Sequence, residues 1–333
     1  MMANSANISV VMPLYNKNPY VERAIVSALK QTHACSEIVV VDDGSTDEGA
    51  STVERLTLQD GRIRLTRQGN SGPGGARNRG VGEAKGEFIA FLDADDEWEN
   101  HFLELANATF QRFPEAGACA TAYQMVYPNG SRHTLDFRCG VLAGASGIID
   151  NYFQALFDGA SPVWTSAVMI RREVFDVVGS FPPIARGEDT AFWSSVAVSF
   201  PIAFANVVSA TFHLDADTKQ RAAMRHVLVD EADAKHVLAP LDKALCSGNL
   251  PCDITAALRR YRRKRLAEMI RQNLMCGYPA EARRIYSRFG RSSEEQLMTE
   301  PRVPLYLAAT WLPPIFPKTY WSLHHRLWAA LKR

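Results

Sequence analysis

The feature that most constrains this chain is an alternation filling its first hundred residues: a short β-branched run, a polar loop, then a segment with helical spacing, several times over. The runs at 8–12, 37–41, 63–66 and 88–92 are short and mainly apolar, as strands buried on both faces are. Between them, 19–31, 48–58 and 75–84 carry helical spacing. Such alternation predicts a Rossmann-like, mostly parallel sheet flanked by helices. A further helix over 99–113 and a strand over 118–126 follow, and then Pro128, Asn129 and Gly130 mark a turn where the rhythm stops. Later segments at 166–170 and 202–208 can rejoin the sheet, with a helix starting near Asp189 between them. From about Thr218 the sequence reads helical, with 259–276 and 280–289 as clear helices and Pro251, Pro279 and Pro301 as breakers. The expected division is a catalytic α/β domain over 1–217, with halves 1–127 and 128–217, followed by a helical C-terminal region over 218–333.

Charge also separates along the chain, with the division taken near residue 251. The total is +1, yet residues 252–333 hold 16 Lys and Arg against 6 Asp and Glu, whereas residues 1–251 hold 21 against 30. An acidic front half repels a phosphate backbone, so nucleic acid is not an expected partner. The basic tail also carries Tyr306, Trp311, Tyr320, Trp321 and Trp328, a composition suited to an anionic membrane surface, to packing within the chain or to a homo-oligomer contact. No secretory leader opens the sequence, and the most apolar late stretch, 305–316, is broken by Pro313 and Pro314. The six cysteines lie far apart without zinc-site spacing and read as reduced thiols.

In a wound α/β sheet, ligands bind beyond the carboxyl ends of the strands. Four polar loops stand there: PLYNKN at 13–18, DDGSTD at 42–47, GNSGPGGARNRG at 69–80 and DADDE at 93–97. Asp93, Asp95 and Asp96 crowd like charges directly after an apolar strand, which suits a hard cation such as Mg2+ or Mn2+ shared with substrate phosphates. Asp42 ends its strand as an acceptor suited to a nucleobase N–H, while Ser45 and Glu48 have capping-box spacing. The 69–80 loop opens a helix that can face anions, reinforced by Arg77 and Arg79. Rossmann and P-loop glycine spacings are absent. Arg186, Glu188 and Asp189 begin a later helix, where acidic residues also serve as ordinary caps. His213 follows a late strand, placed to act as a metal or phosphate ligand or as a buried structural histidine.

Taken together and in this order, the loops resemble glycosyltransferase family 2, the inverting sugar transferases of GT-A fold. The family's P-x-Y-N opening resembles residues 10–16, its V-D-D-G-S-T-D resembles 41–47, its G-x-x-x-A-R-N-x-G resembles 72–80, and its D-x-D resembles Asp93, Ala94 and Asp95. A later G-x-F followed by G-E-D resembles 179–181 and 187–189. Where many relatives read Tyr-Arg-x-His, this chain reads Ala210, Thr211, Phe212 and His213.

The resemblance implies that Pro13, Tyr15, Asp42, Asn70 and Arg77 cradle uridine, that Asp93 faces ribose or sugar, and that Asp95 holds Mn2+ or Mg2+ on the diphosphate. Asp189 becomes the catalytic base, with Glu188 or Arg186 orienting it. The expected activity is transfer from a UDP-sugar to a saccharide or lipid-linked oligosaccharide in cell-surface polysaccharide biosynthesis, in the cytoplasm or at the cytoplasmic face of the inner membrane. The alternatives are a sugar-nucleotide nucleotidyltransferase, whose first loop is glycine-rich and basic, and a non-catalytic scaffold on the same fold.

Overall fold

The computed structural model describes residues 6–214 and 228–290. Tyr306, Trp311, Tyr320, Trp321 and Trp328 of the basic tail lie outside the described residues. The chain divides into two compact units, one formed by residues 1–220 with 249–257 and the other by 221–248 with 258–333.

In the first unit, β1 (Ile8–Leu14), β2 (Glu37–Asp42), β3 (Ile63–Arg67) and β4 (Phe88–Phe91) alternate with α1 (Asn18–Leu29), α2 (Gly49–Thr57) and α3 (Gly72–Glu83). They lie in the order β3-β2-β1-β4, all parallel. The chain therefore winds outward from β1 to β3 and returns on the other side of β1 with β4. That reversal opens a crevice between the loops after β1 and β4. Every residue of β2 is buried, as the continuous apolar run required, and α3 packs on β1 and β2.

Beyond β4 come the two-residue β5 (Glu97–Trp98), α4 (Phe102–Arg112), β6 (Ala118–Val126), β7 (Arg132–Thr134), β8 (Ser146–Ile148) and α5 (Tyr152–Asp158). Next are β9 (Val168–Arg171), α6 (Val174–Val178), α7 (Glu188–Ser199) and β10 (Ile202–His213). The sheet continues β4-β9-β6-β10-β5, with β7 on β6 and β8 on β10. β6 and β10 run parallel to each other, and antiparallel β9 joins them to the parallel core. The fold is the helix-flanked α/β sheet expected from the sequence. Two details differ. β10 runs five residues past the expected end because register shifts between Ala205 and Val208 and between Val208 and Ala210 break its alternation. The capping box read at Ser45 and Glu48 does not form: Ser45 N–H donates to Asp42 Oδ1, and Gly49 N–H is taken by Asp47 Oδ1.

The core of this unit is aromatic near its centre. Phe91, Phe181, Phe192 and Trp193 are all buried and in mutual ring contact, Phe181 stacking on Phe192 at 4.1 Å between centroids. This cluster ties the end of β4 to α7.

The second unit contains α8 (Glu231–Ser247), the larger part of α9 (Cys252–Met275) and α10 (Pro279–Phe289). A capping box between Asp230 and Asp233 starts α8. Asn273 binds both the N–H and the carbonyl of Val229, and Arg262 pairs with Asp242 while donating to the Phe289 carbonyl at 3.1 Å. All six cysteines are free thiols. Among the described residues no helix is long and apolar enough to cross a membrane.

Candidate active site

The loops at the carboxyl ends of β1 and β2 are tied to each other by side-chain to backbone bonds. Asn16 adopts a left-handed φ of 52°, a conformation asparagine tolerates better than most residues. Its N–H donates to Ser45 Oγ and its Oδ1 accepts Thr46 N–H. Two residues later Asn18 N–H donates to Asp47 Oδ2. Asp43 reaches the third loop, its Oδ1 accepting from Ser71 N–H and Gln68 Nε2, both at 2.8 Å. The two loops meet closely enough that a Cβ on Gly44, whose φ is +79°, would lie 3.3 Å from Asn70 N.

Asp42 closes β2 nearly buried, with Oδ1 accepting Ser45 N–H at 3.0 Å. Pro13 sits in β1 opposite Val41, Tyr15 follows that strand half-buried, and Asn70 is exposed with Oδ1 on Gly72 N–H. These four residues therefore line one edge, at the ends of neighbouring strands β1 and β2 and in the loop packed against them.

The three carboxylates after β4 have three different environments. Asp93 Oδ1 accepts Arg77 Nη2 at 2.8 Å, and Asp95 Oδ2 lies 2.5 Å from Lys17 Nζ. Asp96 is buried, its Oδ2 accepting the Ser166 hydroxyl at 2.6 Å while the same hydroxyl accepts Asp93 N–H. Burial above all, then the charges of Asp95 and Asp93, pushes the Asp96 carboxyl well above the ordinary range. Asp95 is raised too, first by burial and against the pull of Lys17. The repulsion expected in this loop is thus offset by two of the protein's own cations.

Arg77 is the hub. Only 5% of its side chain is exposed, and its guanidinium spans from Asp93 to Glu188 Oε1, 3.0 Å away, while lying 5.6 Å above the Phe181 ring. Despite the cost of burial, the carboxylates of Asp93, Glu188 and Asp189 keep it charged. Two further contacts fasten the same strip of α3 to the approach to α7. Asn78 donates to the Phe181 carbonyl and accepts Phe181 N–H, each at 2.9 Å. A Cβ on Gly74 would lie 2.9 Å from Glu188 Cγ, so the glycine permits the close approach.

At the start of α7, Glu188 is buried, and its carboxyl is raised by that burial and by Asp189 against the pull of Arg77. Asp189 is half-buried, its Oδ1 accepting from the N–H and hydroxyl of Thr190. No hydrogen bond reaches its Oδ2 among the described residues. Arg186 is exposed. His213, at the end of β10, has Nε2 3.2 Å from Glu97 Oε2.

Arg77 thus brings Asp93, Glu188 and Asp189 together, and Lys17 adds Asp95. Sequence reasoning gave no role to Lys17, Asp43 or Asn78, although all three lie inside the polar loops. Their signal was chemical: an amide or charge inside a glycine-rich or acidic loop needs a partner when buried. Among the described residues no three His, Cys, Asp or Glu form a cage for a metal ion. The oxygen donors present fit instead a hard cation held by one or two carboxylates together with substrate phosphates.

The profile described as glycosyl transferase family 2 matches residues 9–179, just over half of the chain, and the chain belongs to that family. An uncharacterized glycosyltransferase of Nostoc sp. is 48% identical over 105 residues, covering 31% of this chain and 33% of its own. Another, of Rickettsia felis, is 33% identical over 202 residues, covering 58% of this chain and 31% of its own. The matched region spans about a third of the length of these relatives. Among solved structures, S. aureus TarS residues 1–349 in complex with UDP-GlcNAc superposes with a TM-score of 0.60 at 19% identity, covering 91% of this chain and 79% of that one. This likeness shows the fold, which is of the GT-A type.

Proposed function

We propose that the chain is a metal-dependent, inverting glycosyltransferase that moves a sugar from a UDP-sugar to a hydroxyl of a saccharide or lipid-linked acceptor in cell-surface polysaccharide synthesis. The observation that carries this reading is the Arg77 bridge, which holds Asp93 at the donor edge and the Glu188–Asp189 pair at the opposite edge on one guanidinium. Support for a nucleotide-sugar donor comes from TarS, whose structures hold UDP and UDP-GlcNAc.

Inversion is one in-line displacement at the anomeric carbon, which needs a base on one side and a stabilised leaving group on the other. Asp189 supplies the base. Thr190 fixes one of its oxygens, leaving the other to take the proton from the acceptor hydroxyl as the new bond forms. Glu188, clamped by Arg77, sets the start of α7 and so the position of Asp189. On the donor edge Asp42 accepts the uracil N–H, with Pro13, Tyr15 and Asn70 around the nucleoside, and Asp93 faces ribose. Asp95 and Asp93 would hold Mn2+ or Mg2+, which supplies neutralisation of the charge on the departing diphosphate. The acceptor at a membrane face accords with the +10 balance of residues 252–333. The reading places the chain in the cytoplasm, peripheral on that face.

The test combines calorimetry with product analysis. UDP should bind the wild-type protein in the presence of Mn2+, and incubation with a panel of UDP-sugars and lipid-linked oligosaccharide extract should release UDP. Asp189→Asn should bind UDP within about twofold of wild type yet lose transfer by about 10²–10⁴-fold, because a carboxamide cannot accept the proton. Release of pyrophosphate would point to a nucleotidyltransferase, and unimpaired transfer by Asp189→Asn would remove the assigned base.

A further inference from the structure

The segment after β1 grips the Asp95 loop with two cations of different character. Lys17 Nζ meets the carboxylate at 2.5 Å, and Arg23 Nη2 donates to the Asp95 carbonyl at 2.6 Å. Arg23 therefore fixes the backbone, while Lys17 neutralises the side chain. Both members of the Lys17–Asp95 pair are largely buried, their side chains 12% and 13% exposed. Asp93, two residues earlier, is answered instead by the planar, multiply anchored guanidinium of Arg77. The contrast is chemical: a guanidinium held at both ends stays in place, whereas an ammonium on a four-carbon stem can turn to another acceptor.

A divalent cation approaching Asp95 finds its position already taken by a positive charge in a poorly solvated crevice, where like charges repel strongly. A diphosphate changes that balance, because its oxygens offer the ammonium a new partner beside the old one. We infer that Lys17 is the resident counter-ion of Asp95, a positioning residue that keeps divalent cations out until the donor's diphosphate draws its ammonium away, so that cation and nucleotide bind as a linked pair. The inference rests on the UDP-sugar reading above and adds to it an order of events and a residue responsible for that order.

Manganese binding measured by the loss of the free Mn2+ electron paramagnetic resonance signal tests this without any acceptor or turnover. Wild-type protein should bind Mn2+ at least tenfold more tightly with UDP than without, and by linkage Mn2+ should tighten UDP by the same factor. Lys17→Met should bind Mn2+ alone at least tenfold more tightly than wild type and gain less from UDP. Lys17→Arg, which restores a cation, should return toward the wild-type pattern. Lys17→Gln covers the case in which the methionine variant does not fold, which thermal unfolding reports. The inference is overturned if wild type binds Mn2+ equally well with and without UDP, or if removing the charge at position 17 leaves affinity for Mn2+ alone unchanged. If UDP binds wild type with Mn2+ but the variants do not differ from it, only the counter-ion role fails. If UDP binds at no Mn2+ concentration, the donor reading fails and the linked binding falls with it.

Discussion

The two edges of the proposed active site, the donor side and the base side, are built differently. On the donor edge, loops from β1, β2, β3 and β4 hold one another through many short polar bonds: Asn16 to Ser45 and Thr46, Asn18 to Asp47, Asp43 to Ser71, and Lys17 to Asp95. On the base edge, α7 is preceded by Gly187 as its N-cap, with a left-handed φ of 76° and no side-chain capping bond. Among the described residues Asp189 hydrogen-bonds only to its neighbour Thr190, and the helix is located by the Phe181, Phe192 and Trp193 cluster and by the contacts of α3. A network of loops resists the loss of any one bond. An edge placed by few anchors does not, and those anchors can be tested singly.

The largest effect should follow from Arg77→Met, which joins the fates of both edges. It leaves Glu188 buried and Asp93 largely shielded without their counter-charge, and breaking such a pair typically costs about 3–5 kcal/mol. Urea unfolding should show that loss, and Arg77→Lys should recover only part of it because an ammonium cannot fork between two carboxylates.

Smaller and more discriminating is the pair Asn78→Ala and Asn16→Ala. Loss of Asn78 strips partners from both polar groups of Phe181, at about 1–3 kcal/mol. It should lower kcat while leaving UDP affinity nearly unchanged. Asn16→Ala should do the reverse, weakening UDP binding with little change in kcat. Equal effects of both variants on both constants would erase the distinction between the edges.

The subtlest contrast is in pH. Burial pushes Glu37 up, but Ser9, the Lys85 N–H and Arg64 outweigh it and hold the carboxyl below 4.5. A depressed carboxyl contributes stability that is complete above its unfolded pKa and is lost as pH falls through the folded one. Glu188 lies on the other side: burial and Asp189 raise it, so its folded form favours the proton and its charge costs stability as pH rises from 4.5 through the folded value. The stability of wild type relative to Glu37→Gln should therefore shrink on acidification below 4.5. Relative to Glu188→Gln it should shrink on going above 4.5. Chemical denaturation at a series of pH values reads both, and slopes of the same sign would refute the assignment.

The sequence made the donor edge legible because buried parallel strands announce themselves as apolar runs and their loops stand out as polar interruptions. Asp42, Arg77 and Asp93 were visible for that reason. What stayed hidden was set by distance along the chain. That β9 enters antiparallel between β4 and β6 follows from packing, which no local pattern carries. β5 and β8, two and three residues long, are too short to show a period. Lys17 and Asn78 sat in recognised loops, but their partners lie 78 and 103 residues away. The residue pattern of DDGSTD suggested a local cap at Ser45 and Glu48, yet Ser45 Oγ, Thr46 N–H and Asp47 Oδ2 bond to the neighbouring loop, and the local bonds that do form run from Ser45 N–H to Asp42 and from Gly49 N–H to Asp47.

The strip of α3 from Gly74 to Asn78 meets Pro182, Phe181 and Glu188 directly. The separation of the two edges is therefore held by α3 and the start of α7, so that one helix acts as the ruler between them.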